Sequence, residues 1–169
     1  MKLGMVIAHN GFRDEEYFIP LDFLSSKNIE IITISSAESP AIGKSGGKAD
    51  VDLLLADVKV EELDALLFIG GPGAREYVND SCAHTLAGEI VAQKKILGAI
   101  CMAPLILAHA GVLAGINATV FINYAQNLID KGANYTGRAV ETDGLIITAN
   151  NVEASLDFAK TVFEKLGAS

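Results

Sequence analysis

The sequence predicts an α/β fold in which a mostly parallel sheet is covered by helices on both faces. Strand-like apolar runs alternate with segments of helical spacing along most of the chain. These runs are continuously apolar, which is typical of parallel strands buried on both faces. No repeat, low-complexity tract or linker interrupts the pattern, so residues 1–169 are interpreted as one domain.

Five segments predict strands and two predict hairpins. The strand segments are short and apolar, and several are rich in β-branched residues. Glycines mark the turns of the hairpins, with Asp143-Gly144 turning the second. In chain order the strands are expected at 2–8, 29–35, 64–69, 96–100 and 118–121, and the hairpins at 42–55 and 140–149.

Five further segments predict helices between these strands. We expect Asp14 to cap the first helix and Pro20 to kink it. The second should begin at Asp80 or Ser81, and the third should end at Gly111. In chain order the helices are expected at 14–26, 82–94, 103–110, 124–131 and 152–166.

Composition excludes several classes of protein. Apolar residues make up 50% and charged residues 20% of the chain, which rules out a disordered chain. The net charge of −8 argues against binding to nucleic acids or anionic membranes. Residues 96–129 contain no charged side chain, but glycines and Pro104 interrupt them, so they favour buried elements over a membrane span.

The two cysteines, Cys82 and Cys101, are too few for a disulfide framework, and their spacing fits no zinc site. The N-terminal apolar run is too short for the core of a signal peptide. We therefore expect a cytoplasmic protein without a metal or an organic cofactor.

Ligands of parallel sheets bind beyond the carboxyl ends of the strands. Four segments follow predicted strands and are candidates for the site: 9–16, 70–73, 101–102 and 121–124. Within them, His9 ends the first strand, and Asn123 and Tyr124 follow the fifth.

Cys101 stands at a sharp change from strand to helix, in the segment Ile-Cys-Met-Ala-Pro. A side chain at such an elbow projects from the sheet, and a helix start favours the thiolate. We therefore expect the pKa of Cys101 below its ordinary value of ~8.5. A small buried apolar residue is the alternative interpretation, as it is for Cys82.

Two other segments have both a structural and a functional interpretation. Gly70-Gly71-Pro72-Gly73 allows a tight turn, and it also allows backbone N–H groups to approach a ligand. Glu15 and Glu16 begin a helix, where carboxylates are usually solvated; one of them near a cysteine would instead hold a proton and bond the sulfur.

Together these motifs resemble the ThiJ/PfpI (DJ-1-like) superfamily. The resemblance covers nearly the whole chain and lies in the first helix (Gly11, Glu16, Pro20), LFIGGPGA at 67–74, AICMAP at 99–104, NLIDKGANY at 127–135, DGLIIT at 143–148 and ASLDFA at 154–159. It implies a three-layer sandwich of the flavodoxin-like, class I glutamine-amidotransferase-like type, usually as a homodimer.

The resemblance also implies roles for individual residues. Cys101 would be an oxidisable nucleophile, and Glu16 a protonated carboxyl bonded to its sulfur. The N–H groups of Gly71 and Met102, beside Gly70, would form an oxyanion pocket.

This chain departs from the family pattern at two positions. Met102 replaces the histidine that follows the cysteine in protease-type members, and Phe121 stands where many members have another histidine. Asn123 and Tyr124 lie near this position and are possible site residues, and His9 is the residue that could replace the missing base in space. A Cys–His–acid hydrolase is therefore disfavoured.

Three functions follow from these expectations. The favoured one is a cysteine-dependent enzyme of the glyoxalase or deglycase type, a lyase or hydrolase acting on small reactive carbonyls. The alternative is a protective sensor of oxidative stress, in which Cys101 is oxidised without turnover. A peptidase or amidase is the third.

One further feature of the sequence supports a homodimer. Tyr17, Phe18 and Phe23 cannot all face the sheet from a regular helix. We expect one of them to leave an outer aromatic patch that a partner would cover.

Overall fold

The computed structural model describes residues 1–167, in which strands and helices alternate. The strands are β1 (Lys2–Val6), β2 (Asn10–Phe12), β3 (Glu30–Ser35), β4 (Ala41–Gly43), β5 (Lys48–Ala49), β6 (Leu53–Leu54), β7 (Ala65–Phe68), β8 (Ile96–Ile100), β9 (Asn117–Ala118), β10 (Asn134–Tyr135), β11 (Val140–Asp143) and β12 (Ile146–Ala149). The helices are α1 (Asp14–Ser26), α2 (Ser81–Ala92), α3 (Pro104–His109), α4 (Ala125–Asp130) and α5 (Ser155–Gly167).

A seven-stranded sheet forms the middle layer, in the order β11-β12-β8-β7-β1-β3-β6. Every neighbouring pair is parallel except β11 with β12, which form the predicted hairpin. The predicted α/β class and mostly parallel sheet are therefore confirmed. The hairpin of β4 and β5 lies outside this sheet and pairs with β2.

Each central strand packs against a separate apolar core on each face of the sheet. In β7, Leu66 and Phe68 face the core that contains α2 and α3. Ala65 and Leu67, and Ile69 directly after the strand, face the core that contains α1 and α5. Both faces are buried, which explains why the sequences of the central strands are largely apolar.

The spacing of apolar residues in the helices follows from packing against these two cores. In α2 the buried residues Ala83, Leu86, Ala87 and Ile90 recur at helical spacing. Asp80 caps this helix, as one of the two predicted candidates, by accepting the N–H of Ala83 at 2.7 Å.

Asp14 has a different role from the predicted cap. It is the first residue of α1, and Arg13 occupies the N-cap position without a side-chain capping bond. The Asp14 carboxylate instead accepts the N–H groups of Ser45 and Gly47, each at 2.7 Å. It thereby fixes the β4–β5 hairpin against the start of α1. The helix continues through Pro20.

Of the three aromatic residues behind the predicted outer patch on α1, only Tyr17 is fully buried. Tyr17 is buried, and its hydroxyl lies 2.7 Å from Thr33 Oγ1. The Phe23 ring meets Phe163 of α5 edge-on, with centroids 6.2 Å apart. Phe18 is half-buried and packs on Tyr17. Phe18 and Phe23 stay partly exposed, so the predicted patch is reduced to these two side chains.

The predicted strand at 118–121 is also different. Only Asn117 and Ala118 form a strand, which pairs with β10 outside the main sheet. The Thr119 N–H then donates to Thr148 Oγ1 at 2.9 Å, and the Phe121 N–H donates to the Cys101 carbonyl at 2.8 Å. These bonds divert the segment toward the end of β8. In the described part of the chain, no helix is both long and apolar enough to cross a membrane.

Candidate active site

Cys101 lies at an elbow between β8 and α3. Its φ of 61° falls in the left-handed region, a conformation that costs a non-glycine residue about 1–3 kcal/mol. Two hydrogen bonds hold it there: the Cys101 N–H donates to the Ala149 carbonyl at 2.9 Å, and its own carbonyl accepts the Phe121 N–H. The thiol is free and half-buried.

A cavity of about 350 Å³ opens over this elbow. It is large enough for a small metabolite. Of the residues singled out in the sequence, the cavity lining includes Glu16, Gly71, Cys101, Met102, Phe121 and Tyr124.

Three other predicted residues lie outside the lining. Gly70 is buried behind the cavity, where its carbonyl accepts the Arg13 N–H at 3.0 Å. Asn123 is exposed. His9 lies away from the cavity, and its backbone N–H donates to Glu76 Oε1 at 3.1 Å.

No histidine of residues 1–167 lines the cavity. His84 Nε2 lies 2.8 Å from the Val78 carbonyl, and His109 Nδ1 lies 3.1 Å from Asn79 Oδ1. The cavity walls at the two positions where the resemblance implies histidine are formed by Met102 and Phe121. A Cys–His pair is therefore not assembled in the described residues.

Glu16 is the titratable partner of Cys101. The side chain is 1% exposed, and its carboxyl is hydrogen-bonded to the Cys101 thiol. Burial raises the pKa of Glu16 to about 7, against the lowering effects of the Cys101 hydrogen bond and of Arg13. Oε2 is itself buried without a hydrogen-bond partner, which further disfavours the charged form. The expected contact and the expected raised pKa are both found.

The expected lowering of the Cys101 pKa is wrong. Burial raises the pKa of the thiol to about 12, and the negative charge of Glu16 and its hydrogen bond add to this rise. The Met102 N–H and the positive charge of Arg13 act in the opposite direction but are weaker. A helix start of this kind does not compensate for burial beside a carboxylate.

The two groups therefore hold at most one negative charge between them near neutral pH, and they gain it as the pH rises through about 7, because a second charge would be repelled by the first. The charged pair exists as a carboxylate beside a thiol, or as a protonated carboxyl beside a thiolate. A proton that moves from Sγ to Glu16 converts the first form into the second. Glu16 can thus serve as the base that activates Cys101.

The glycine segment after β7 makes room for this pair. A side chain at Gly70 would lie 2.5 Å from Glu16 Oε2 and 2.8 Å from the Ile100 carbonyl. Gly71 has a φ of 104°, which only glycine adopts readily. Within residues 1–167, the Gly71 N–H donates no hydrogen bond, so it is available to a ligand.

Three cationic residues of the lining were not singled out in the sequence: Arg13, Lys44 and Arg75. Arg13 does lie within the candidate segment 9–16. Arg75 lies two residues beyond the glycine segment, so a candidate range of 70–75 after this strand would have included it. Lys44 comes from the β4–β5 hairpin, and nothing in the local sequence indicates that this hairpin packs beside α1.

The pair predicts how the reactivity of Cys101 depends on pH. Its alkylation rate should rise through about pH 7 and then level off, because the pair gains its single charge as the first proton leaves. Iodoacetamide kinetics from pH 5 to 9 would measure this in a Cys82→Ala background, with the double variant Cys82→Ala/Cys101→Ser as blank. A rate that keeps rising tenfold per pH unit up to pH 9 would contradict the shared charge.

Comparison with known proteins gives a consistent result. The family model described as the DJ-1/PfpI family matches residues 1–165. An uncharacterised protein of Methanocaldococcus jannaschii is 33% identical over 168 residues, covering 98% of this chain and 82% of that protein. The deglycase PfpI of Pyrococcus furiosus is 30% identical over 140 residues, covering 83% of this chain and 84% of that protein.

Solved structures agree with the same grouping. The ThiJ/PfpI domain protein of Brachyspira murdochii superposes with a TM-score of 0.97 at 31% identity, over 99% of this chain and 97% of that one. DJ-1beta of Drosophila melanogaster shares the fold, with a TM-score of 0.91 at 22% identity, over 99% of this chain and 91% of that one. The chain belongs to the DJ-1/PfpI family.

Proposed function

We propose that the protein is a cofactor-independent enzyme that converts small 2-oxoaldehydes into 2-hydroxy acids, with Cys101 as nucleophile and Glu16 as proton carrier. One observation supports this above all: a buried carboxyl whose pKa is raised to about 7 is hydrogen-bonded to the only cysteine that lines the cavity among the described residues. The deglycase PfpI, at 30% identity, supports carbonyl chemistry of this general kind.

The first step forms a bond between sulfur and carbon. Sγ of Cys101 attacks the aldehyde carbon while its proton passes to Glu16. The carbonyl oxygen becomes negatively charged, and we expect the N–H groups of Gly71 and Met102, two residues of the cavity lining, to stabilise it. Glu16 then gives this proton to the oxygen, which forms a hemithioacetal and leaves Glu16 as a carboxylate.

The second step moves hydrogen between adjacent carbons. Glu16, as carboxylate, takes the proton from the former aldehyde carbon, and the resulting enediol is reprotonated on the neighbouring carbon. This produces a thioester of the 2-hydroxy acid. Water then cleaves the thioester, so that the acid leaves and the Cys101 thiol is restored. For methylglyoxal the balance is one aldehyde plus one water to one lactic acid.

This chemistry needs one group that works near pH 7, and the raised pKa of Glu16 meets that need. Peptide hydrolysis has another requirement, because an acid must protonate the leaving amine. No histidine of residues 1–167 lines the cavity to do so. We expect no peptidase activity.

The proposal is tested by turnover of methylglyoxal. We expect many equivalents of lactate per protein chain, and none from Cys101→Ser, while Cys82→Ala keeps the wild-type rate. Casein and fluorogenic peptides should remain intact. If only one equivalent of oxidant or aldehyde is consumed per Cys101, the protective sensor is the better description. Cleavage of peptides that depends on Cys101 would overturn the mechanism.

We also propose that the protein is a homodimer located in the cytoplasm. Membership of the family supports the homodimer. The two free thiols support a reducing compartment. Tyr17 is buried and contributes nothing to an outer patch, which leaves the partly exposed Phe18 and Phe23 as the aromatic side chains for a partner to cover. Light scattering at micromolar concentration should give twice the chain mass of 17.8 kDa. A species of single-chain mass would refute the dimer.

A further inference from the structure

The mouth of the cavity carries a charge opposite to that of the whole chain. The net charge of the protein is −8, yet Arg13, Lys44 and Arg75 all contribute to the lining. The acidic lining residues are Glu153 and Glu16, and the latter is only partly ionised at neutral pH. Such a local excess of cations attracts anions into the site.

Three separate segments of the chain deliver these cations, and each is held in place. The Arg13 N–H donates to the Gly70 carbonyl at 3.0 Å. The Lys44 N–H donates to the Phe12 carbonyl at 2.8 Å, and the Asp14 carboxylate fixes the next residues of that hairpin. The Arg75 guanidinium donates to the Tyr124 hydroxyl at 3.2 Å.

The three cations also differ in whether a carboxylate within the chain already pairs with them. Arg13 Nε is paired with Glu15 at 2.9 Å, and Arg13 lowers the pKa values of both Glu16 and Cys101. Within residues 1–167, the Arg75 guanidinium has only the Tyr124 hydroxyl as a hydrogen-bond partner, and the Lys44 ammonium group has no hydrogen bond or ion pair. Lys44 and Arg75 are therefore the two cations free to bind an anion.

We propose that the cavity selects carbonyl substrates that carry an anionic group, a carboxylate or a phosphate, beyond the reacting aldehyde. Lys44 and Arg75 would bind the anion at the mouth, while Cys101 and Glu16 act on the aldehyde below. This inference rests on the proposed 2-oxoaldehyde chemistry and narrows its substrate class. Because both cations are exposed, their attraction depends on ionic strength.

A matched pair of substrates tests the inference. 4,5-Dioxopentanoate is a 2-oxoaldehyde with a carboxylate two methylenes away, and its methyl ester has the same skeleton without the charge. With one water, the acid would give 2-hydroxyglutarate. We expect the acid to have a kcat/KM about tenfold or more above that of the ester at low salt. A matching phosphate-bearing 2-oxoaldehyde would show which anion is preferred.

Variants locate the selectivity. In Lys44→Gln/Arg75→Gln the ratio of the two kcat/KM values should fall about tenfold, and each single variant should give an intermediate ratio. Lys59→Gln removes one positive charge outside the cavity and should leave the ratio unchanged. In wild type, the ratio should also shrink as salt rises to about 0.15 M.

The outcomes separate this inference from the proposed function. Equal turnover of acid and ester by wild type, or an unchanged ratio in the double variant, would overturn the anion preference and leave the enzyme intact. If neither of these compounds nor methylglyoxal is converted, the proposed function itself fails, and the substrate preference fails with it.

Discussion

Glu16→Gln should lower kcat for methylglyoxal by about 100-fold or more. The amide has nearly the same shape as the carboxyl, but it cannot take the Cys101 proton or move hydrogen between the substrate carbons. The inflection near pH 7 in the alkylation profile should disappear together with turnover, because the amide does not titrate. Lactate release and iodoacetamide kinetics on the same preparation measure both effects.

The adjacent glutamate provides a matched control. Glu15 is exposed and paired with Arg13, and its charge has the smallest of the effects on the pKa of Glu16. Glu15→Gln should therefore change kcat less than about threefold. Equal losses in the two variants would show that general negative charge near the helix start is important, and that Glu16 is not the proton carrier.

Gly71→Ala should lower the free energy of unfolding by about 3–5 kcal/mol. Two effects combine: the φ of 104° is disfavoured for alanine, and the new Cβ would collide with the Arg13 N–H and with the Gly11 carbonyl. Relief of the collision would shift the start of α1, which carries Glu16. Urea unfolding gives the energy, and the alkylation rate of Cys101 reports the displaced carboxyl.

Gly46→Ala separates the two effects. Gly46 has a similar φ of 91°, but nothing lies within 4 Å of the position where its Cβ would be. Its cost should be limited to the backbone conformation, about 1 kcal/mol. If both variants lose the same free energy of unfolding, the collision at Gly71 contributes nothing to the loss. Close packing would then not be the reason that position 71 requires glycine.

Much of the fold follows from periodicity, because strands buried on both faces must be apolar throughout. This criterion located β1, β3, β7 and β8. It failed at 118–121, where an apolar segment leaves the sheet because Thr119 bonds a side chain instead of a neighbouring strand. This side chain is the Thr148 hydroxyl, 29 residues further along the chain, so the local sequence does not reveal the course of 118–121.

The sequence predicted the site residues whose chemical type is required for the reaction. It did not predict which side chains at the edge of the sheet face the cavity. The elbow sequence indicated Cys101, and the position early in α1 left Glu15 and Glu16 open until the family resemblance selected Glu16. The strand-end rule also selected His9, since it identifies an edge of the sheet but not which residues there face the cavity. The sign of the Cys101 pKa shift depends on burial beside an ionisable carboxyl, which only the structure reveals.

The packing of α1 against α5 affects the order in which the chain completes its structure during synthesis. Phe23 lies against Phe163, and the Lys27 ammonium group lies 5.5 Å and 5.8 Å from the centroids of these two rings. The ribosome makes α1 well before α5. An emerging chain therefore holds the carboxyl-bearing helix without its apolar cover until α5 has left the ribosome, and the core beneath Glu16 closes only then.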